Sequence, residues 1–238
     1  MKARKVKGLD PQEALAENAA KIVRVRLDEL RSFASTALEE ERTTEQHDMR
    51  IAAKRLRYVL EATELCFGQA GVTARRRAKD LQDILGELHD CDVMLPRVEG
   101  HIAELREEDA AVVRRRAADA SDLDPALAAR APHRTAYRGL EVLAVYASSR
   151  RKLLFDRFVE FWAEQERAGT WERLERSAER TLIDARERRK ARERAESAAA
   201  ELAEAERARI EAVERTRRAA EELDAARKEA GATVDEGS

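Results

Sequence analysis

Between His47 and Tyr58, side chains that can hold a proton or an anion recur at helical spacing: His47, Arg50, Lys54, Arg57 and Tyr58. At about 100° per residue they form one stripe along a helix. Met49, Ala53, Leu56, Leu60, Thr63 and Phe67 form a second, mostly apolar stripe turned roughly 120° from the first. A solvated face usually lies opposite the core and mixes its charges. This one stands at the shoulder of the core and is cationic until Glu61. A solvated flank is the plain alternative. The chemistry that suits the spacing is phosphate binding, one phosphate of a linear polyanion held per helical turn. His47 falls in the first turn, where free N–H groups and the positive dipole end favour an anion and disfavour an uncompensated imidazolium.

The stretch 73–88 repeats the arrangement, with Arg75, Lys79, Gln82 and Gly86 on a strip beside Ala74, Ala78, Leu81 and Leu85. Gly86 has no Cβ, so either a ligand or a packed helix can come close there. Further on, Leu140, Leu143, Ala147, Arg150, Leu154, Phe158 and Phe161 follow 3–4 spacing, with Arg150 in mid-seam. A buried, unpaired guanidinium is costly. Arg150 therefore either pairs with a carboxylate of a facing helix or reaches a polar cavity that receives an anion. Lys21, Arg24 and Arg31 share a mixed face with Glu17 and Asp28, which reads as solvated unless Lys21 or Arg24 turns toward the same cavity.

These residues need helices to position them, and the 238-residue chain is composed for helices: 43% apolar, 4% aromatic, 39% charged. β-branched residues never gather into alternating runs, and Gly and Pro punctuate at helix-length intervals. Asp10-Pro11 predicts an N-cap opening a helix to about Glu41. Thr43-Thr44, with Gln46 as a capping box, opens a second that ends near Phe67-Gly68. A third runs from about Thr73 to Leu88, and a fourth from Asp92 to Arg116 with Pro96 in its first turn. A connector holding Asp124-Pro125 follows, then a fifth helix from about Arg134 to Arg167, stopping before Gly169.

After Trp171 the sequence changes character to Ala, Glu and Arg with sparse Leu or Val. Heptads counted from Leu174 put Arg188, Arg192, Glu206 and Arg209 at core positions, a poor coiled-coil seam. The expected organisation is an all-α bundle of about five helices over 1–171. A long charged helical extension over 172–238, frayed or disordered at its end, follows it.

No run approaches the length of a membrane span, and no apolar run follows the charged start Met1-Lys2-Ala3-Arg4-Lys5, so neither a membrane segment nor a signal peptide is expected. Cys66 and Cys91 match no metal spacing and read as reduced thiols of a cytoplasmic protein, Cys66 in the core. A net charge of −2 is unlike a generic nucleic-acid binder. A polyanion would be bound here by segregated charge.

The run from His47 to Glu61, followed by Leu81-Gln82-Asp83-Ile84-Leu85-Gly86-Glu87-Leu88-His89-Asp90, resembles the signature of the CHAD (conserved histidine α-helical domain) family over about residues 10–165. The resemblance implies a helical fold whose basic pocket binds inorganic polyphosphate, association with polyphosphate granules, no enzymatic activity and no cofactor. It carries the pocket onto His47, Arg50, Lys54, Arg57, Lys79 and Arg150, with Lys21, Arg24, Arg75, Tyr58 and His89 as accessory positions. Members usually hold two helical halves, each with a His-and-basic helix. This chain shows one, so a homodimer supplying a second copy is expected.

Two rival readings remain. His47, His89-Asp90 and Asp122 or Asp156 offer ligands for a metal-dependent phosphohydrolase of the helical HD type, although Arg50 and Lys54 would repel the cation. Alternatively, the chain is a scaffold acting through its extension. Nucleic acid is disfavoured as ligand, because no aromatic stacking platform accompanies the cations.

Overall fold

The computed structural model describes residues 2–235, with side chains through 226. Ala19, Ala20, Val23, Leu27 and Leu30 are all buried, and this stripe makes an amphipathic helix of α1 (Leu15–Arg31). One turn, α2 (Ala34–Ala37), leads to α3 (Thr43–Thr63). A 3-10 turn over Glu64–Phe67 then opens α4 (Gly68–Ala117). The single turn α5 (Pro125–Ala128), capped by the Asp124 carboxylate, precedes α6 (Arg134–Arg167) and α7 (Thr170–Asp235). The fold is all-α, with five long helices and no strand among the described residues.

Several predicted boundaries are corrected. Asp10-Pro11 forms a turn in which the Asp10 carboxylate accepts from the Gln12 N–H at 2.9 Å, and the helix starts only at Leu15. It ends at Arg31, well before Glu41. Thr43 and Thr44 lie inside α3, whose N-cap is Arg42. Gln46 makes no capping box; its amide donates back to the carbonyls of Glu39 and Glu40 at 2.9 and 3.3 Å.

The expected third and fourth helices are one helix of 50 residues that runs through Pro96. Proline there removes one backbone hydrogen bond. Leu81, Leu85, Leu88, Cys91, Val98, Ile102 and Leu105 nevertheless keep one buried stripe on both sides of it. Packing outweighs the local breaker.

Helices α3 and α4 form the centre, with α1 against α3 and α6 against α4. The expected stripe of α3, Met49 through Phe67, is buried throughout, as are Ala74, Ala78, Leu81 and Leu85. Gly71 lets α4 start close under the preceding turn, since a Cβ would stand 2.5 Å from the Glu64 carbonyl. On α6 the seam holds from Ala147 onward, but Leu143 is exposed. Cys91 is buried and Cys66 only partly, both as free thiols.

The core does not stop at Trp171. Trp171 stacks on Trp162, ring centroids 5.9 Å apart, and Leu174, Ala178 and Leu182 are buried after it. The first compact unit accordingly closes at Leu182, three turns of α7 beyond the expected border. The second unit begins at Ile183 and holds the rest of α7, described through Asp235. Its Leu202, Ile210, Val213 and Leu223 are exposed, and pairs such as Arg192–Glu196 and Arg217–Glu221 lace its surface at i,i+4 spacing. The expected fraying concerns the chain end, where 236–238 lie outside the described residues.

Candidate functional site

The two central helices run antiparallel, and their side chains fix the register. The His47 and His89 rings lie 4.4 Å apart, tilted by 45°. One turn along, Arg50 lies over Gly86, its Nε 3.5 Å from where a Cβ would stand, an ordinary contact distance. The same register sets Lys54 opposite Gln82 and Arg57 opposite Lys79. Four rungs thus cover about 15 Å of α3. What comes close at Gly86 is thus a side chain of the packed helix, one of the two options open in the sequence.

Polar atoms along the rungs are buried without hydrogen-bond partners: His47 Nδ1, Arg50 Nε, Arg57 Nε and Gln82 Oε1. Buried polar groups are nearly always satisfied, so four orphans along one seam call for an explanation. Among the described residues, neither Arg50 nor Lys54 has a carboxylate within ion-pair distance. Lys54 lies 5.7 Å and the Arg57 guanidinium 4.5 Å from the centroid of the Tyr58 ring. Arg57 also donates to Glu61 at 3.1 Å.

His47 is positioned by its neighbours. Gln46 Oε1 accepts from Arg151 at 3.2 Å, and Arg151 also donates to Asp92 at 2.5 Å and to the Glu40 carbonyl at 3.0 Å. This network ties the start of α3 to α4 and α6. With Arg42 as N-cap, His47 stands in the second turn, not the first, so the helix-end argument loses force. Burial pushes the His47 imidazole below its ordinary pKa, and the nearby His89 and Arg50 push it further. The fold thereby favours the neutral ring.

The other predicted residues are dispersed or paired. Lys79 is exposed and paired with Asp83 at 3.1 Å. Arg75 pairs with Glu64. Arg150 takes the first of its two alternatives: it donates to Glu87 on α4 at 2.5 Å and lies 3.7 Å from the Cys91 thiol. Lys21 binds Glu13 and the Gly8 carbonyl, and Arg24 faces Glu179 at 3.9 Å. Those two stand on a different side of the core, with Leu182 and Glu175. Gln82 and Arg151 were not singled out as site residues. Gln82 carried a signal, its place on the Lys79–Gly86 strip; Arg151 carried none.

The rival metal site does not assemble: among the described residues no three His, Cys, Asp or Glu side chains converge as a ligand set. No described helix is long and apolar enough to cross a membrane. What the α3–α4 face can do chemically is accept a linear anion. Guanidinium, ammonium and imidazole donors stand one turn apart, and Gln82 adds an amide that can turn its NH2 outward.

No curated protein and no solved structure matches the chain. A family model does match, over residues 2–99, shorter than the 10–165 expected from the motifs. The matched stretch contains every rung of the ladder and leaves out α6, and with it Arg150. The model that matches residues 2–99 is that of the CHAD domain.

Proposed function

We propose that this protein binds inorganic polyphosphate along the α3–α4 ladder, with His47, Arg50, Lys54 and Arg57 as the cationic row and Gln82 and His89 on the opposite rail. The observation that carries this reading is the set of unpartnered buried nitrogens at His47, Arg50 and Arg57. Other partly buried arginines, Arg26, Arg55 and Arg151 among them, meet carboxylates; Arg50 does not. The CHAD match over the same residues supports the reading.

Polyphosphate carries its charge on a thin chain without bases, so it can lie in a seam between two helices. Nucleic acid suits the face less well, because Tyr58 is already engaged by Lys54 and Arg57. In this reading the protein is a cytoplasmic binder, not an enzyme, and associates with polyphosphate granules. Titration with long-chain polyphosphate and with RNA and DNA of matched charge tests it. Tight binding of polyphosphate alone at physiological salt, without release of orthophosphate, is expected. Equal affinity for RNA, or phosphate release, contradicts it.

A further inference from the structure

Helix α6 has a second face, about 180° around from the buried Ala147, Leu154 and Phe158. It is built unlike a solvated surface. Val142, Val145, Tyr146 and Leu153 are 63, 67, 59 and 68% exposed and follow one another along the middle of the stripe. Clustered apolar side chains on such a face mark an interaction site.

Lys152, Arg157 and Arg167 add exposed cations to the C-terminal half of the helix. Flanking the apolar patch, Arg134 and Arg138 lie at its N-terminal end, and Asp156, Glu160 and Glu164 at its C-terminal end. All five are exposed, and among the described residues none has an ion-pair partner within the chain. Arg134 and Glu164 stand at the helix ends where the α6 dipole disfavours them. Helix stability does not account for that order.

Antiparallel pairing with a second α6 does. We propose that two copies of this chain associate through the outer faces of α6, related by a twofold axis near Ser149. The apolar centres then meet, and the basic end of each helix faces the acidic end of the other. The small Ser149 lets the helices approach at the axis. Asp156 falls toward the rim of the apolar patch, where water still reaches it. From Arg138 to Glu160 the contact runs about 33 Å. A single helix pair of that length lies at the low end of stable interfaces, so the dimer is concentration-dependent. It joins the copies through α6 and not through the His-and-basic helix, and it does not depend on what the α3–α4 face binds.

Sedimentation of the full chain across the micromolar range tests this. The wild type is expected to shift from monomer to dimer. V145E and L153E, both at exposed positions, are expected to raise the dimer dissociation constant at least about tenfold with unchanged circular dichroism and unchanged polyphosphate binding. Charge reversal tests the orientation: R134E/R138E weakens the dimer, E160R/E164R weakens it, and the four changes together restore it. The two ends are too far apart on one helix for that rescue to be intramolecular. A wild type that stays monomeric overturns the proposal, as does a dimer indifferent to V145E and L153E, or a fourfold variant no better than either double.

Discussion

Helix α3 carries arginines of two fates. Arg55 points to Glu29, a fully buried carboxylate that accepts from Arg55 at 2.8 Å, from Arg26 at 2.7 Å and from the Arg4 backbone at 3.3 Å. Arg50, five residues earlier on the same helix, points to α4 and meets a glycine. The first arrangement is closed: two guanidiniums share one buried carboxylate, and it pins the N-terminal segment and α1 to α3. The second is open: burial first, and then the nearby His89 and Arg50, hold the His47 imidazole below its ordinary pKa. One is built for stability and the other tolerates a local cost. Arginine content alone distinguishes nothing; the placement of carboxylates does.

Removing the carboxylate breaks this contrast most severely. Glu29→Ala removes the buried carboxylate that Arg26 and Arg55 share and is expected to cost about 3–5 kcal/mol in urea unfolding. Arg50→Ala and Lys54→Ala should instead leave stability within about 0.5 kcal/mol. Each should weaken polyphosphate binding about tenfold or more, as loss of a charge-assisted contact worth about 1.5–3 kcal/mol requires. A variant of either residue that unfolds as Glu29→Ala does would erase the distinction.

The apolar stripes of α3 and the first part of α4 were legible because burial follows a period that the residues spell out, Met49 to Phe67 and Ala74 to Leu85. The bounds of α6 were legible too, set by Gly169 after its last turn. Pairing was only partly so. Glu61 and Asp83 sit four residues after Arg57 and Lys79, a local signal, whereas Glu87 reaches Arg150 only through the packing of α4 on α6. Helix ends failed where a contact distant in sequence decided them, as at Pro96. The core residues of α7 failed for a simpler reason. Leu174, Ala178 and Leu182 have the right spacing, but they begin a run whose remainder is charged, and the composition hid them.

A smaller effect concerns pH. Because the fold holds His47 below its ordinary value of 6.5, it favours the neutral ring. Its contribution to stability is complete above that value and declines as pH falls through it. Binding has the opposite sign, since a polyanion favours the imidazolium. Affinity should therefore rise on acidification, down to the lowered pKa of the free protein. His47→Gln should flatten the rise; a profile that the substitution leaves unchanged would remove His47 from the site.

The smallest effect sharpens the geometry. At Gly86 a methyl group meets Arg50 at an ordinary contact distance, 3.5 Å. Gly86→Ala should gain about 0.5–1 kcal/mol in thermal unfolding from helix propensity with little change in binding. Gly86→Leu should displace Arg50 and lower affinity as Arg50→Ala does. Equal affinity for the wild type and Gly86→Leu would show that the Arg50 position over α4 is immaterial.

The most direct test is the salt dependence of polyphosphate binding for the wild type and Arg50→Ala/Lys54→Ala. Each phosphate contact releases counter-ions, so log K should fall linearly with log salt. Removing two contacts should reduce that slope by about 2 while the fold stays intact. A slope that the double substitution does not change would contradict the assignment of the phosphate chain to the α3–α4 face.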